Sequence, residues 1–289
     1  MKIYEYWVSR IRPNWKMTII DRFGLIDPKY EQIPFPKHTD KDFIELIEER
    51  AKELGEKTIA WSGGLDSTML ASVYLKLGIP FKIIHTQDSI NNCPLFYEYL
   101  KSKDIEMIPK EKIADFKEPN ILSGWLSDLL FYCEFQRYKQ KDLRRTNGEK
   151  RLIVPEECLT DIHKLAEEKF GLDLKTEFDY FRFVTYCFSY TACLYDLQLE
   201  SQNPTIISFF DRPQFTDYAF THFYENPILY PGKQIYRDYI CEVTGDIRYQ
   251  SNEHIYRRGT PFRWIYSMEN LNIVKECGLY CGEYKRIVD

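Results

Sequence analysis

The chain has 289 residues, of which 44% are hydrophobic and 16% aromatic, which supplies a buried core and excludes a disordered chain. Its 39 basic and 44 acidic side chains leave a net charge of −5, so no overall positive field selects nucleic acid, although a local patch stays open. No apolar run approaches the ~20 residues of a membrane helix, and the opening MKIYEYWVSR lacks the apolar stretch of a signal peptide; a cytoplasmic protein with no membrane partner is expected, its eight cysteines reduced.

Residues 1–38 carry Pro13, Pro28, Pro34 and Pro36 without a helical period, and read as an extended arm. From Thr39 the pattern changes. Phe43, Ile44, Ile47, Ala51 and Leu54 recur at helical spacing, with Gly55 placed as a C-cap. Thr58 to Trp61 predicts a strand, Asp66 to Leu77 a helix closed by Gly78, and Phe81 to His85 a second strand. A short helix around Leu95 to Leu100 and apolar pieces at 105–108 and 120–122 continue the alternation. Strand alternating with helix argues for an α/β fold, a parallel sheet flanked by helices, with ligands beyond the strand C-terminal ends.

Residues 139–151, with six basic and two acidic side chains around Asn147-Gly148, read as an exposed loop, either solvated or touching an anion. Pro155 suits the first turn of a helix ending near Gly171. The aromatic-rich stretch 177–199 reads as buried helix rather than a base-stacking surface. Cys277 and Cys281 are the only close cysteine pair; a zinc site would need two further ligands, and two packed thiols fit as well.

The chemistry concentrates in Ser62-Gly63-Gly64-Leu65-Asp66-Ser67, set between the first strand and the helix after it. Paired glycines let the backbone turn tightly and approach an anion, and the helix start aims amides at it; the hydroxyls of Ser62, Ser67 and Thr68 add donors. A carboxylate at Asp66 would repel bare phosphates, so the loop calls for a divalent cation between them. The alternative is a plain strand-to-helix turn.

This string is similar to the SGGxDS signature of the PP-loop ATP pyrophosphatases, a resemblance that covers about a dozen residues. It implies an adenine nucleotide alpha hydrolase-like fold, here with a helical C-terminal part, over 39–289. It also implies ATP and Mg²⁺, with cleavage between the α and β phosphates. Residues 121–131, ILSGWLSDLLF, resemble the SGxGxDxLF loop of the asparagine synthetase group, which supplies a second metal-binding aspartate. By position that residue is Asp128, paired with Asp66 on the leaving pyrophosphate, with Ser123 and Gly124 in the loop. The alternative for Asp128 is an N-cap of the helix that follows, with the metal-ligand reading favoured because the first loop already asks for a partner. SFFDRPQFTDYAF at 208–220 resembles that group's PFLDxxFxDxA stretch through Asp211, and residues 229–245 resemble its KxxLR helix through Lys233 and Arg237.

Departures bear on the reaction. The cysteine nucleophile and glutaminase domain of asparagine synthetases have no counterpart before Thr39, so ammonia would come from a separate glutaminase or another amine donor. Residues 246–259 contain no lysine where that family places a catalytic one, leaving Arg248, Arg257 and Arg258 as candidate cations. Adenine is expected at the end of the second strand, against Ile84, His85 and Thr86, with Asp88, Asn91 and Asn92 in a polar loop beside it. The resemblance implies an AMP-forming carbon-nitrogen ligase that adenylates a small-molecule carboxylate and passes it to an amine or ammonia. A PP-loop enzyme acting on a nucleobase or tRNA, and a non-catalytic nucleotide-binding protein, are the rivals.

Overall fold

Asp42 starts the first helix by accepting a hydrogen bond from the Glu45 amide at 2.7 Å, and Gly55 ends it by donating to Ala51. This helix, α1 (Phe43–Leu54), buries Phe43, Leu46, Ile47 and Ala51 on one face, as its apolar spacing predicts. The computed structural model describes residues 23, 25, 34–124, 127–130, 156–175, 179, 180, 183, 186, 187, 201–203, 205–223 and 233–250, except the side chains of 113, 128, 129 and 156–159. The chain divides into two compact units, one drawn from 38–131 and 194–261, the other from 1–37, 132–193 and 262–289.

The first unit holds a five-stranded parallel sheet of order β3-β2-β1-β4-β5, formed by β1 (Lys57–Ala60), β2 (Phe81–His85), β3 (Glu106–Pro109), β4 (Ile121–Ser123) and β5 (Ile207–Ser208). The α/β class expected from the alternation is therefore present. Ile59 and Ile83 pair across β1 and β2 and are wholly buried, as strands covered on both faces require. Strand order reverses between β1 and β4, so the crevice beyond their C-terminal ends is the switch point of the sheet.

Helix α2 (Leu65–Leu77) follows β1 and is buried along most of its length, from Leu65 to Tyr74; its apolar residues occur all round rather than in one stripe. Next come α3 (Gln87–Asn92) and α4 (Pro94–Lys101) after β2, then α5 (Ser127–Leu130) after β4. Asp88, Asn91 and Asn92 were expected in a loop. They lie in α3, because Thr86 and Ser89 form a reciprocal capping box that nucleates a turn the apolar pattern does not reveal.

Helices α7 (Pro213–Thr221) and α8 (Gln234–Thr244) give this unit its helical C-terminal part, with α8 packed along α2. Phe43 of α1 joins Phe210, Phe215, Tyr218 and Tyr236 in one aromatic cluster, with ring centroids 5.5–6.2 Å from Phe43. Asn203 ties the approach to β5 to the segment that leads into β4: its amide donates to the carbonyls of Phe116 at 3.1 Å and Glu118 at 2.9 Å, and its oxygen accepts from Thr205.

In the second unit α6 (Glu156–Phe170) ends before Gly171, as Pro155 and Gly171 lead one to expect. Phe170 packs edge-on against Phe23, Phe35 and Phe183, so described residues of the N-terminal stretch share a core with this helix. The basic stretch 139–151 and the Cys277, Cys281 pair lie outside the described residues. Cys93 and Cys241 carry free thiols, and burial pushes the Cys93 thiol up to about 11. Among the described residues no helix is long and apolar enough to cross a membrane.

Candidate functional site

Beyond β1 the Trp61 amide still donates to Ile84 of β2 at 2.9 Å, after which the backbone turns through Ser62, Gly63 and Gly64 into α2. Two serines knit this turn together. The Ser62 amide donates to the Ser67 hydroxyl at 3.1 Å, the hydroxyls lie 3.1 Å apart, and the Gly64 amide donates to Ser62 Oγ at 3.2 Å. Gly63 takes φ +71°, and a Cβ there would sit 2.2 Å from the Ser89 carbonyl oxygen and 2.8 Å from Asn92 Cβ. Helix α3 thus props the turn from behind, and Asn92 Nδ2 donates to the Ser62 carbonyl at 3.0 Å.

Gly64 caps α2 without a side-chain hydrogen bond, and Thr68 makes the first intrahelical bond to Gly64 at 3.0 Å. The amides of Leu65, Asp66 and Ser67 therefore stand outside the helix ladder, the arrangement that suits an anion. Gly124, just past β4, lies against this first turn: a Cβ on it would come 3.0 Å from the Asp66 carbonyl carbon and 3.1 Å from the Ser67 nitrogen. Both loops meet at the switch point.

Three segments far apart in sequence converge on Asp66. Lys233 donates to Asp66 Oδ1, Ser127 donates to the same oxygen, and Lys233 Nζ donates to Ser127 Oγ at 2.7 Å. The Lys233 side chain is 3% exposed and that of Asp66 27%, so the ammonium is enclosed while the carboxylate keeps an open side. Lys233 is not inside the helix, as the KxxLR likeness suggests, but is the N-cap of α8, with a left-handed backbone at φ 61°. That conformation costs about 1–2 kcal/mol in a residue with a Cβ. A cation at a helix N-terminus also opposes the helix dipole. Two local preferences are overridden to bring this ammonium to Asp66.

The other predicted residues separate. Thr68 is fully buried and accepts from Trp61 Nε1 at 3.1 Å, so its hydroxyl lies under the turn and not among phosphate donors. At the end of β2 the Ile84 carbonyl accepts from Trp61, the His85 carbonyl from Lys110, and the Thr86 amide donates to Ser89 Oγ at 3.1 Å; these groups are already engaged inside the protein. The His85 ring is 4% exposed, its Nδ1 has no hydrogen-bond partner, and burial holds its pKa below the ordinary value. Ser123 is buried, and its carbonyl accepts from Phe209 at 2.9 Å. Arg248 pairs with Asp246 through two nitrogens on the surface, a contact that raises its pKa. Arg257 and Arg258 lie outside the described residues, as does the side chain of Asp128, whose backbone is in α5 directly after Ser127.

The sequence gives no role to Ser127, and it places Asn92 only in a polar loop beside the adenine, not as a brace of the glycine turn. Ser127 occupies an unspecified position of the SGxGxDxLF pattern, and Asn92 reads as turn composition; only the packing reveals either. Among the described residues no three His, Cys, Asp or Glu side chains gather around one point. Compared with protein-family models, curated proteins and solved structures, the chain has no significant match in any of the three.

Proposed function

We propose that this chain is a PP-loop ATP pyrophosphatase with an adenine nucleotide alpha hydrolase-like fold, an AMP-forming ligase that adenylates a carboxylate and passes it to a nitrogen nucleophile. The observation that carries the reading is the enclosed Lys233 ammonium brought to Asp66 beside an uncapped helix start at the switch point. A plain turn needs no buried lysine delivered from 167 residues away. The donor set fits ATP with Mg²⁺: a glycine turn closed to any Cβ, first-turn amides of α2, and one half-open hard carboxylate.

When bound to Asp66 and the second-loop carboxylate expected at Asp128, Mg²⁺ would supply charge neutralisation on the departing phosphates. The amides of Leu65, Asp66 and Ser67 hold the phosphate chain in place. A substrate carboxylate oxygen attacks the α-phosphorus, the bond to the β-phosphate oxygen breaks, and that oxygen leaves with the electron pair as pyrophosphate. Lys233 stabilises the charge that grows on the leaving oxygen. The amine then attacks the acyl carbon, loses a proton to solvent, and expels AMP. The burial of Lys233 keeps its charge strong at that moment.

The test incubates the full chain with Mg-ATP and pools of carboxylates and amines, and follows pyrophosphate, AMP and the masses of new adducts. Pyrophosphate and AMP should appear together, and Asp66→Asn should lower the rate by about 10²-fold or more. Formation of ADP, or ATP binding without any pyrophosphate, refutes the assignment.

A further inference from the structure

We propose that Lys233 is a built-in counter-cation that competes with a divalent metal for Asp66, and that Ser127 is the positioning residue that holds it there. The inference rests on the reading of this site as the place where metal-bound phosphate docks, and adds an order of events to it. The ammonium lies on the protein side of the carboxylate, 3% exposed, while the carboxylate is 27% exposed and reachable from solvent. Ser127, wholly buried, donates to Asp66 Oδ1 and accepts from Lys233, so one hydroxyl fixes both charged groups.

A divalent cation arriving on Asp66 would place two positive charges beside an enclosed third, a repulsion that strengthens in a low-dielectric site. Metal alone therefore binds weakly. A polyphosphate arriving with the metal changes the balance, because its oxygens accept both the metal and the released ammonium. Lys233 thus sets opposite signs for the two ligands: it weakens metal binding in the nucleotide-free protein and strengthens binding of the nucleotide. Ser127 acts through both partners without needing to touch either ligand.

Mn²⁺ binding to the full chain without nucleotide, followed by electron paramagnetic resonance, tests this directly. Lys233→Met should bind Mn²⁺ at least about tenfold more tightly than the wild type while binding ATP more weakly. Adding Asp66→Asn should abolish the gain. Ser127→Ala should give a smaller gain in Mn²⁺ affinity, and Ser127→Thr, which keeps the hydroxyl, should restore the wild-type value; loss of fold alone would not produce that pattern. In the unsubstituted protein, saturating Mn²⁺ should accelerate reductive methylation of Lys233, read by mass spectrometry.

Unchanged or weaker Mn²⁺ binding in Lys233→Met overturns the proposal, as does a methylation rate that ignores Mn²⁺. Pyrophosphate release is assayed on the same preparations. If it is absent while Lys233→Met still tightens Mn²⁺ binding, the ligase reading fails and the competition stands. If it is present while Mn²⁺ binding is unmoved, the converse holds.

Discussion

Replacing Gly63 with alanine adds one methyl group at the point where the glycine turn leans on α3. Two costs follow from the geometry. The residue has φ +71°, a left-handed conformation that costs an alanine about 1–2 kcal/mol. The new Cβ would also lie 2.2 Å from a backbone oxygen, that of Ser89, and 2.8 Å from Asn92 Cβ, an overlap that backbone cannot avoid by rotating a side chain. Overpacking of this kind costs a further ~1–3 kcal/mol, for a total of about 2–5 kcal/mol. Gly78 supplies the control: it has φ +62° and nothing within 4 Å of its Cβ position, so Gly78→Ala carries only the conformational cost. Urea unfolding of both variants, read by tryptophan fluorescence, should show a lower midpoint for Gly63→Ala at similar slope. Equal losses, or a smaller loss at Gly63, would refute the claim that α3 closes the back of the turn.

Two further outcomes follow from groups outside the ion cluster. Burial holds the His85 imidazole below its ordinary 6.5, so the unfolded chain binds this proton first; stability falls as pH drops from about 6.5 toward the folded-state pKa. His85→Phe should flatten that part of a urea-midpoint against pH curve, and an unchanged slope would rule it out; Glu53 and Glu118, both held below the ordinary carboxylate range, titrate at lower pH. Asn203→Leu removes the amide that serves the buried bond to the Phe116 carbonyl and the part-buried bond to the Glu118 carbonyl, together with the acceptor of Thr205. A loss of about 2–4 kcal/mol in urea unfolding is expected, and a loss under about 1 kcal/mol would show that these bonds are replaced by others.

Much of the sheet was legible because its signals are local. Apolar runs at Ile59 and Ile83, periodicity in α1, and glycines at 55, 78 and 171 mark strands, faces and helix ends without reference to the rest of the chain. β5 was not, since the two-residue strand Ile207–Ser208 is too short for any period and exists only because β4 offers an edge beside it. The turn of α3 escaped for a related reason: its capping box is a reciprocal contact between Thr86 and Ser89 side chains, visible as composition and not as pattern. The phosphate-binding expectation for Thr68 missed that the helix places this residue inward, toward Trp61.

The sequence alone determined the alternation that makes a parallel sheet, the place of the glycine turn after β1, and the presence of a carboxylate within it, because backbone freedom and hydrophobic period are properties of neighbouring residues. Tertiary structure alone decided what that carboxylate faces. Asp66, Ser127 and Lys233 are separated by 61 and 106 positions, and no local preference puts a lysine in a left-handed N-cap against a helix dipole. Charge pairing across the switch point does, because an enclosed ammonium is stable only where a carboxylate and a hydroxyl meet it.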